Sequence, residues 1–178
     1  MKFSPLLLLF GFAACTSSHD NLKKETDDLL RKANQSFFQS KPQNSLVDSA
    51  YTSVENFVKK FPDDTLAPDY LFEEALLQEK QKKYSQVIIT LDRIYSTYPQ
   101  SKQASKSLFL EGFLYANVLN ELDKAKEKYQ IYLDKYSSVD PKMTNDVQME
   151  LQNLGKSPDE ILKEIQEKAA SDSVKAPS

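Results

Sequence analysis

The sequence predicts an all-α protein built as a short α-α solenoid, and three observations support this prediction. The 178 residues include only three glycines and eight prolines, which is few for a sheet of many short strands. Apolar residues recur at steps of three and four along most of the chain, as on one stripe of an amphipathic helix. Paired stretches of this kind repeat about every 37 residues, a period typical of stacked helix pairs.

Composition argues against a nucleic-acid partner. The chain is 28% charged, its mean hydropathy is −0.56, and its length suits one domain of ordinary size. Its formal net charge is only −3, and no basic stripe interrupts that balance. A field this weak does not attract a phosphate backbone, so we expect no nucleic-acid binding.

The first 14 residues have the pattern of a bacterial signal peptide. Lys2 precedes an apolar run at residues 6–12, which is too short for the roughly 20 residues that span a bilayer. Residues 12–15, Phe-Ala-Ala-Cys, resemble the lipobox of bacterial lipoproteins, although its first position is more often leucine. The resemblance implies that Cys15, the only cysteine, becomes the mature N-terminus and carries acyl chains such as palmitate. An ordinary secretory signal that leaves a free thiol is the alternative.

The residues after the cysteine bear on where such an anchor resides. Thr16 stands where an aspartate would resemble an inner-membrane retention signal, and no acidic cluster follows. These features favour the outer membrane, with the protein facing the periplasm. We expect residues 15–21 to form a disordered tether, in which His19, the only histidine, is a solvated linker residue.

Three segments in the middle of the chain have similar sequence patterns. Each ends in an aromatic residue, at Phe61, Tyr98 and Tyr136, which are 37 and 38 residues apart. Proline follows the first two and ends a helix there, because the residue before proline is pushed out of the α region. A second periodic stretch lies upstream of each segment, so the segments form helix pairs, A and B. An unrelated helical bundle is the alternative.

This repeat resembles the tetratricopeptide repeat. With Pro68 as position 1, the signature positions 4, 8, 20, 24, 27 and 32 are held by Leu71, Ala75, Val87, Leu91, Ile94 and Pro99. The next unit has Leu108, Gly112, Tyr115, Ala125, Tyr129 and Tyr132 at positions 4, 8, 11, 20, 24 and 27, after a one-residue insertion. Position 8 is small because helix B crosses close to it through position 20. Position 7 departs from the pattern, since it is Glu74 in one unit and Glu111 in the next.

The long period is similar to the periplasmic repeats of BamD-type outer-membrane assembly lipoproteins and of CpoB (YbgF)-type cell-envelope proteins. The similarity covers roughly residues 46–155. It implies protein partners in the cell envelope, with β-barrel assembly components as candidates, and no cofactor. BamD-type proteins have more repeats, so outer-membrane protein assembly and coordination of envelope growth or division both stay open.

Helices are also predicted at the two ends of the helical domain, residues 22–170. We expect a first helix over residues 22–40, paired with a second over residues 46–61, and a later helix over residues 142–154.

A last helix is expected over residues 158–169 as the cap of the solenoid. Ser157 and Glu160 form the pattern of a capping box at its start. Its buried residues are expected to be Ile161, Leu162 and Ile165, with a polar outer face. Residues 171–178 have no apolar pattern and are expected to be disordered.

No arrangement of residues predicts catalysis. Cys15 and His19 have no second Cys or His to complete a zinc site, and no glycine-rich loop suits a phosphate. Acidic pairs at residues 27–28, 63–64 and 73–74 are interpreted as solvated faces and helix starts, because adjacent helical side chains point about 100° apart. We therefore expect no enzyme activity and no metal.

The candidate function lies on the surface. In tetratricopeptide arrays the A helices line a concave groove, and the resemblance assigns partner binding to Phe72, Leu76, Phe109, Phe113 and Asn117. We hypothesise that the apolar members form a strip that receives a partner's peptide or helix. The alternatives are that a terminal helix covers this strip or that its residues pack between A helices.

The leading hypothesis is a membrane-anchored, non-enzymatic scaffold for protein–protein interaction in the cell envelope. A lipoprotein that captures a small solute is one rival, disfavoured because a bare solenoid without a polar-lined cavity seldom closes around a small molecule. A self-assembling structural protein is another, disfavoured by the charged helix over residues 158–169.

Overall fold

A computed structural model of the chain describes the backbone of residues 10–38 and 43–175, and the side chains of residues 17–38 and 43–167. All regular secondary structure in these ranges is α-helical, which confirms the predicted all-α class. The helices of the described part are α1 (Phe10–Ser36), α2 (Asn44–Lys60), α3 (Ala67–Lys80), α4 (Tyr84–Thr97), α5 (Lys102–Asn117), α6 (Leu122–Tyr136), α7 (Pro141–Asn153) and α8 (Pro158–Lys175).

The chain divides into two compact units, unit 1 (Met1–Ser107) and unit 2 (Leu108–Ser178), with the boundary inside α5. In unit 1 consecutive helices pack against each other: α1 on α2, α2 on α3 and α3 on α4. In unit 2, α6 packs on α7 in the same way. Packing of consecutive helices is the local arrangement of a helical repeat, because each helix pair buries its apolar face against its neighbours.

The core of unit 1 is built from the predicted apolar stripes. On α4, Val87, Leu91 and Ile94 are fully buried, and these are repeat positions 20, 24 and 27. Val54 and Phe57 are buried in the same way on α2. Each such side chain contributes about 1.5–3 kcal/mol of burial free energy. This burial, rather than intrinsic helix propensity, stabilises helices of 14 to 17 residues.

In unit 2, α5 and α6 pack tightly at Gly112. A Cβ atom placed on Gly112 would lie 2.4 Å from Cε1 of Tyr129, well inside contact distance. Tyr129 is fully buried, as are Ala125 and Tyr132 on the same helix. The predicted close crossing at position 8 is therefore present. The atoms nearest to Gly112 belong to position 24, Tyr129, rather than to position 20, Ala125.

The start of α1 differs from the prediction. The helix begins at Phe10, so residues 15–21 are helical rather than a disordered tether. No glycine or proline occurs between residues 12 and 36, and a helix propagates readily through such a stretch once it has formed. The helix ends at Ser36, before the predicted residue 40. Residues 39–42, like residues 1–9 of the predicted signal peptide, lie outside the described residues.

The start of α8 has the predicted capping box. The backbone N–H of Ser157 donates to Oε2 of Glu160 at 2.7 Å, and the backbone N–H of Glu160 donates to Oγ of Ser157 at 3.3 Å. The helix then continues to Lys175, so residues 171–175 are helical rather than disordered. Residues 176–178 lie outside the described residues.

The predicted burial along α8 is wrong for two of three residues. Leu162 is 54% exposed and Ile165 is 59% exposed, whereas Ile161 is half-buried. Adjacent residues of a helix point about 100° apart, so a helix that packs along Ile161 turns Leu162 towards solvent.

Gly112→Ala is expected to lower the free energy of unfolding by about 1–3 kcal/mol, because the added methyl group overlaps the buried ring of Tyr129. Helix propensity acts in the opposite direction by roughly 1 kcal/mol. Urea unfolding followed by circular dichroism measures the net change. The matched control is the same substitution in a Tyr129→Leu background, where the smaller side chain leaves room and Gly112→Ala should be neutral or stabilising. Equal destabilisation in both backgrounds would contradict the packing explanation.

Candidate interaction site

Unit 1 contains two of the five predicted partner-binding residues, both on α3. Phe72 and Leu76 are half-buried, whereas their neighbours Leu71 and Ala75 are fully buried. The amine of Lys106 lies 5.6 Å from the centroid of the Phe72 ring, within range of a cation–π contact. Helix α3 thus buries one stripe completely and leaves an adjoining apolar stripe partly accessible.

Unit 2 contains the other three predicted residues on α5, where a spacing of four places them on one face. Phe109 is half-buried, and its ring centroid lies 6.2 Å from that of Tyr129. Phe113 is 38% exposed, and Asn117 is exposed. The amide Nδ2 of Asn117 donates to the backbone oxygen of Phe113 at 3.1 Å. Accessibility therefore increases along this stripe towards the C-terminal end of α5.

A cleft of about 450 Å³ opens in unit 2 beside Asn117. It lies between the C-terminal ends of α5 and α7 and the loops that follow them. Apolar side chains that include Met149 line it together with three amides, Asn117, Asn120 and Asn153, with the carboxylate of Glu150, and with Lys156, which is ion-paired with Glu164. A cleft of this composition suits a small polar ligand or a short peptide segment, because amides can pair with both donors and acceptors.

Two left-handed residues shape the rim of this cleft. Asn120 has φ of 55° and Gly155 has φ of 78°. A Cβ atom placed on Gly155 would lie 3.1 Å from Cδ1 of Leu122. Glycine is therefore favoured at residue 155 both by backbone conformation and by space.

A buried carboxylate on α3 was missed by the sequence interpretation. Glu74 is only 7% exposed, so the reading of residues 73–74 as a solvated acidic pair is wrong at Glu74. Its Oε1 accepts a hydrogen bond from Nε2 of Gln78 at 2.9 Å, and Oε1 of Gln78 accepts one from Oγ1 of Thr90 on α4 at 3.0 Å. No hydrogen-bond partner among the described residues reaches Oε2 of Glu74. Burial, followed by the charge of Glu55, raises the pKa of Glu74 to about 7.

A second buried carboxylate occupies the same repeat position in unit 2. Glu111 is fully buried, and its Oε2 lies 2.5 Å from Nζ of Lys128 on α6. Glu111 follows Glu74 by 37 residues, and Lys128 follows Thr90 by 38. In both units, therefore, a glutamate on an A helix is linked to a polar side chain at the matching position of the B helix. The helical period contains a signal for this burial, since Glu74 falls on the same stripe as Leu71 and Gln78.

His19 belongs to a packed cluster, so its prediction as a solvated linker residue is wrong. Its ring centroid lies 4.8 Å from that of Phe61 and 5.5 Å from that of Phe57. Its Nε2 lies 2.7 Å from Oδ2 of Asp64. Hydrogen bonding to Asp64, and then to Asp20, raises the pKa of His19. The contact joins α1 to the end of α2 and the loop after it.

Two further acidic residues each have a partner that is distant in the sequence. Asp64, within the predicted solvated pair at residues 63–64, is bound to His19. Asp27 accepts a hydrogen bond from the phenol of Tyr70 at 2.6 Å and forms an ion pair with Lys23 at 2.7 Å. Both carboxylates therefore connect α1 to another part of unit 1, and Asp27 is also exposed to solvent, as predicted.

The described residues contain no group of three or more histidine, cysteine, aspartate or glutamate side chains arranged to hold a metal ion. The helices in the described part of the chain include none that is long and apolar enough to cross a membrane. The side chain of Cys15, the predicted lipidation site, lies outside the described side chains. Comparisons with known protein families, with curated proteins and with solved structures find no match to this chain.

Glu74→Gln is expected to remove a pH dependence from the stability of the protein. The pKa of Glu74 is raised from 4.5 to about 7, so the folded state keeps a proton that the unfolded state loses over this range. Stability should therefore fall as the pH rises from about 4.5 to about 7, by on the order of 3 kcal/mol. The amide that Glu74→Gln introduces cannot ionise, so the variant should be more stable than the wild type at pH 8 and show little difference at pH 4.5.

Urea unfolding at pH 4.5 and pH 8 measures this effect. Glu73→Gln is the matched control, because Glu73 is a half-buried neighbour on the same helix and the substitution changes the net charge equally. Identical pH dependence in the wild type and in Glu74→Gln would contradict the assignment.

Proposed function

We propose that the chain is a lipid-anchored, non-enzymatic scaffold for protein–protein interaction in a bacterial cell envelope. The observation that carries this proposal is the partly exposed apolar stripe on α5, where Phe113 is 38% exposed beside the packed contact with α6. Aromatic side chains that stay accessible on a rigid helix are typical anchors for a partner's peptide or helix. The tetratricopeptide-like repeat, in which A helices line the binding groove, supports the same assignment.

The repeat relates the candidate residues of the two units. Phe72 and Leu76 on α3 precede Phe109 and Phe113 on α5 by 37 residues each. Both units therefore present accessible apolar side chains at the same repeat positions. We infer that each of these stripes binds an extended or helical segment of a protein, and that Asn117 supplies a polar contact at the end of the α5 stripe.

Anchoring is proposed from the lipobox-like residues 12–15, with acyl chains on Cys15 and the protein at the periplasmic face of the outer membrane. The partner is proposed to be a component of envelope assembly. Insertion of β-barrel proteins and coordination of envelope growth or division are the two roles that the resemblance to BamD-type and CpoB-type proteins supports.

A specific observation favours a second candidate function, the capture of a small ligand. The cleft beside Asn117 has a volume of about 450 Å³, within the usual size of ligand sites. The sequence predicts no polar-lined cavity that closes around a small molecule, whereas unit 2 has an open cleft lined in part by amide side chains.

Phe113→Asp is expected to lower the recovery of the cross-linked partner from native membranes at least about tenfold, because a buried aromatic anchor typically contributes 2 kcal/mol or more. Photo-cross-linking followed by purification and mass spectrometry measures the recovery. Ile89→Asp is the matched control, since Ile89 is 68% exposed on α4, a B helix, and should leave recovery unchanged. Equal recovery with Phe113→Asp and the wild type would overturn the stripe as the binding site. Absence of any protein, with a small molecule retained in native mass spectrometry, would favour the second candidate.

Cys15→Ala is expected to abolish incorporation of an alkyne-labelled fatty acid and to release the protein from the membrane fraction. Each buried methylene of an acyl chain contributes about 0.8 kcal/mol to membrane binding, so loss of the chains removes the anchor. Thr16→Ala is the control, because it leaves the lipobox-like residues intact. Labelling that persists in Cys15→Ala would rule out lipidation at this residue.

A further inference from the structure

The beginning of α1 is fastened to the end of α2 and to the α2–α3 loop by several contacts at once. The ring of His19 packs against Phe61 in an edge-to-face arrangement, with an angle of 74° between the planes, and also contacts Phe57. Its Nε2 lies 2.7 Å from Oδ2 of Asp64. One residue earlier, Oγ of Ser18 accepts a hydrogen bond from the amine of Lys60.

These contacts place the candidate lipid attachment point next to a defined corner of unit 1. Cys15 lies four residues before His19 in the same helix, a separation of about 6 Å along the helix axis. We call residues 60–65, the segment in which His19 contacts Phe61 and Asp64, the anchor corner. A disordered tether of seven residues would instead have a root-mean-square length of roughly 15 Å and would let unit 1 turn freely.

We propose that the anchor corner, held to α1 by His19, is the surface of unit 1 that faces the lipid bilayer. The inference rests on the proposed lipidation of Cys15 and adds an orientation to it. In this arrangement the acyl chains enter the membrane within about one helical turn of a residue that is packed into the fold. The membrane therefore always contacts the same surface of unit 1, at the C-terminal end of α2.

The charges at the anchor corner fit a zwitterionic phospholipid surface. Lys59 and Lys60 end α2, and Asp63 and Asp64 follow in the loop. Lys60 in the anchor corner and Lys59 just before it balance the carboxylates of Asp63 and Asp64, so this surface has no strong preference for an anionic or a cationic layer. Lys59 and Asp63 are exposed and are available to phosphate and amine headgroups, whereas the amine of Lys60 is bound to Ser18.

Protonation of His19 strengthens the attachment. Asp64 from the α2–α3 loop and Asp20 from α1 face the imidazole, and Lys60 lies on the neighbouring turn of α2. Hydrogen bonds to Asp64 and then Asp20 raise the pKa of His19 above 6.5. The docked state is therefore favoured fully below about pH 6.5, and this contribution is lost as the pH rises through the raised value.

The test is a depth measurement on the mature, acylated protein in vesicles of phosphatidylethanolamine and phosphatidylcholine. Cys15 is the only cysteine, so an introduced cysteine can be labelled selectively once Cys15 is acylated. One fluorescent label is placed at Asp63→Cys in the anchor corner, and the matched label at Ser45→Cys. Ser45 is exposed near the other end of α2, and 17 residues of helix span roughly 25 Å.

Lipids with a nitroxide on the headgroup are expected to quench the label at residue 63 several-fold more than the label at residue 45. His19→Ala should bring the ratio of the two quenching values close to one, whereas Asn21→Ala, an exposed neighbour on α1, should leave it unchanged. In the wild type the ratio should be higher at pH 5.5 than at pH 8.5. Asp64→Asn should reduce this pH dependence.

Controls separate the proposal from its premise and from misfolding. In His19→Ala, other contacts of α1 with unit 1 remain, such as the buried hydrogen bond between Thr26 and Ser53 at 2.8 Å, and circular dichroism checks that the fold persists. Mass spectrometry of the N-terminus shows whether Cys15 is acylated, and its absence overturns both the lipidation and the orientation. Acylated protein with equal quenching at both labels, or a ratio unchanged in His19→Ala, overturns the orientation alone.

Discussion

Close approach of paired helices is the constraint on which the rest of this fold depends. At Gly112 the absence of a side chain lets the ring of Tyr129 occupy the space of a methyl group. The residues next to these two, Glu111 and Lys128, are thereby brought to 2.5 Å in a buried ion pair. The apolar contact between Gly112 and Tyr129 and the ion pair are thus neighbours on both helices, and both require the helices to lie close together. In unit 1, Ala75 holds the position of Gly112, and the Glu74–Gln78–Thr90 hydrogen bonds hold the place of the ion pair.

The buried polar contacts between the A and B helices fix how the two helices of a pair are aligned. They contribute less to the stability of the pair. Removing a carboxylate from water costs several kcal/mol, and a buried ion pair often does little more than recover that cost. A shift of α6 by one turn, however, would leave Glu111 in an apolar interior without the cation of Lys128, which is strongly unfavourable. Glu74 avoids part of this cost differently, because its pKa of about 7 lets it stay partly protonated near neutral pH. The same repeat position therefore aligns the helix pair in both units, through an ion pair in unit 2 and through hydrogen bonds in unit 1.

The helix pairs could be predicted from the sequence, because their apolar stripes recur with the helical period and the small residue at position 8 marks the crossing. Features that depend on contacts between distant residues could not. His19 and Asp64 are 45 residues apart, and no local pattern indicates that they meet. Apolar character alone predicts burial for Leu162 and Ile165, yet burial needs a neighbouring surface, which the described part of unit 2 does not supply. Glu74 is an intermediate case. Its position on the buried stripe of α3 predicts burial, whereas its charge predicts exposure, and the packing of α3 against α4 buries it.

A docked N-terminal helix changes what an acyl anchor can do. A flexible tether only raises the local concentration of a protein at the membrane, whereas a docked one also sets the height at which each surface is presented. In the proposed orientation α3 begins at Ala67, directly after the anchor corner. Phe72 and Leu76 then lie within about 8 and 14 Å of the start of the helix. A partner that contacts these side chains must itself reach close to the headgroups, as the membrane-proximal segment of an envelope protein does and a freely diffusing protein need not.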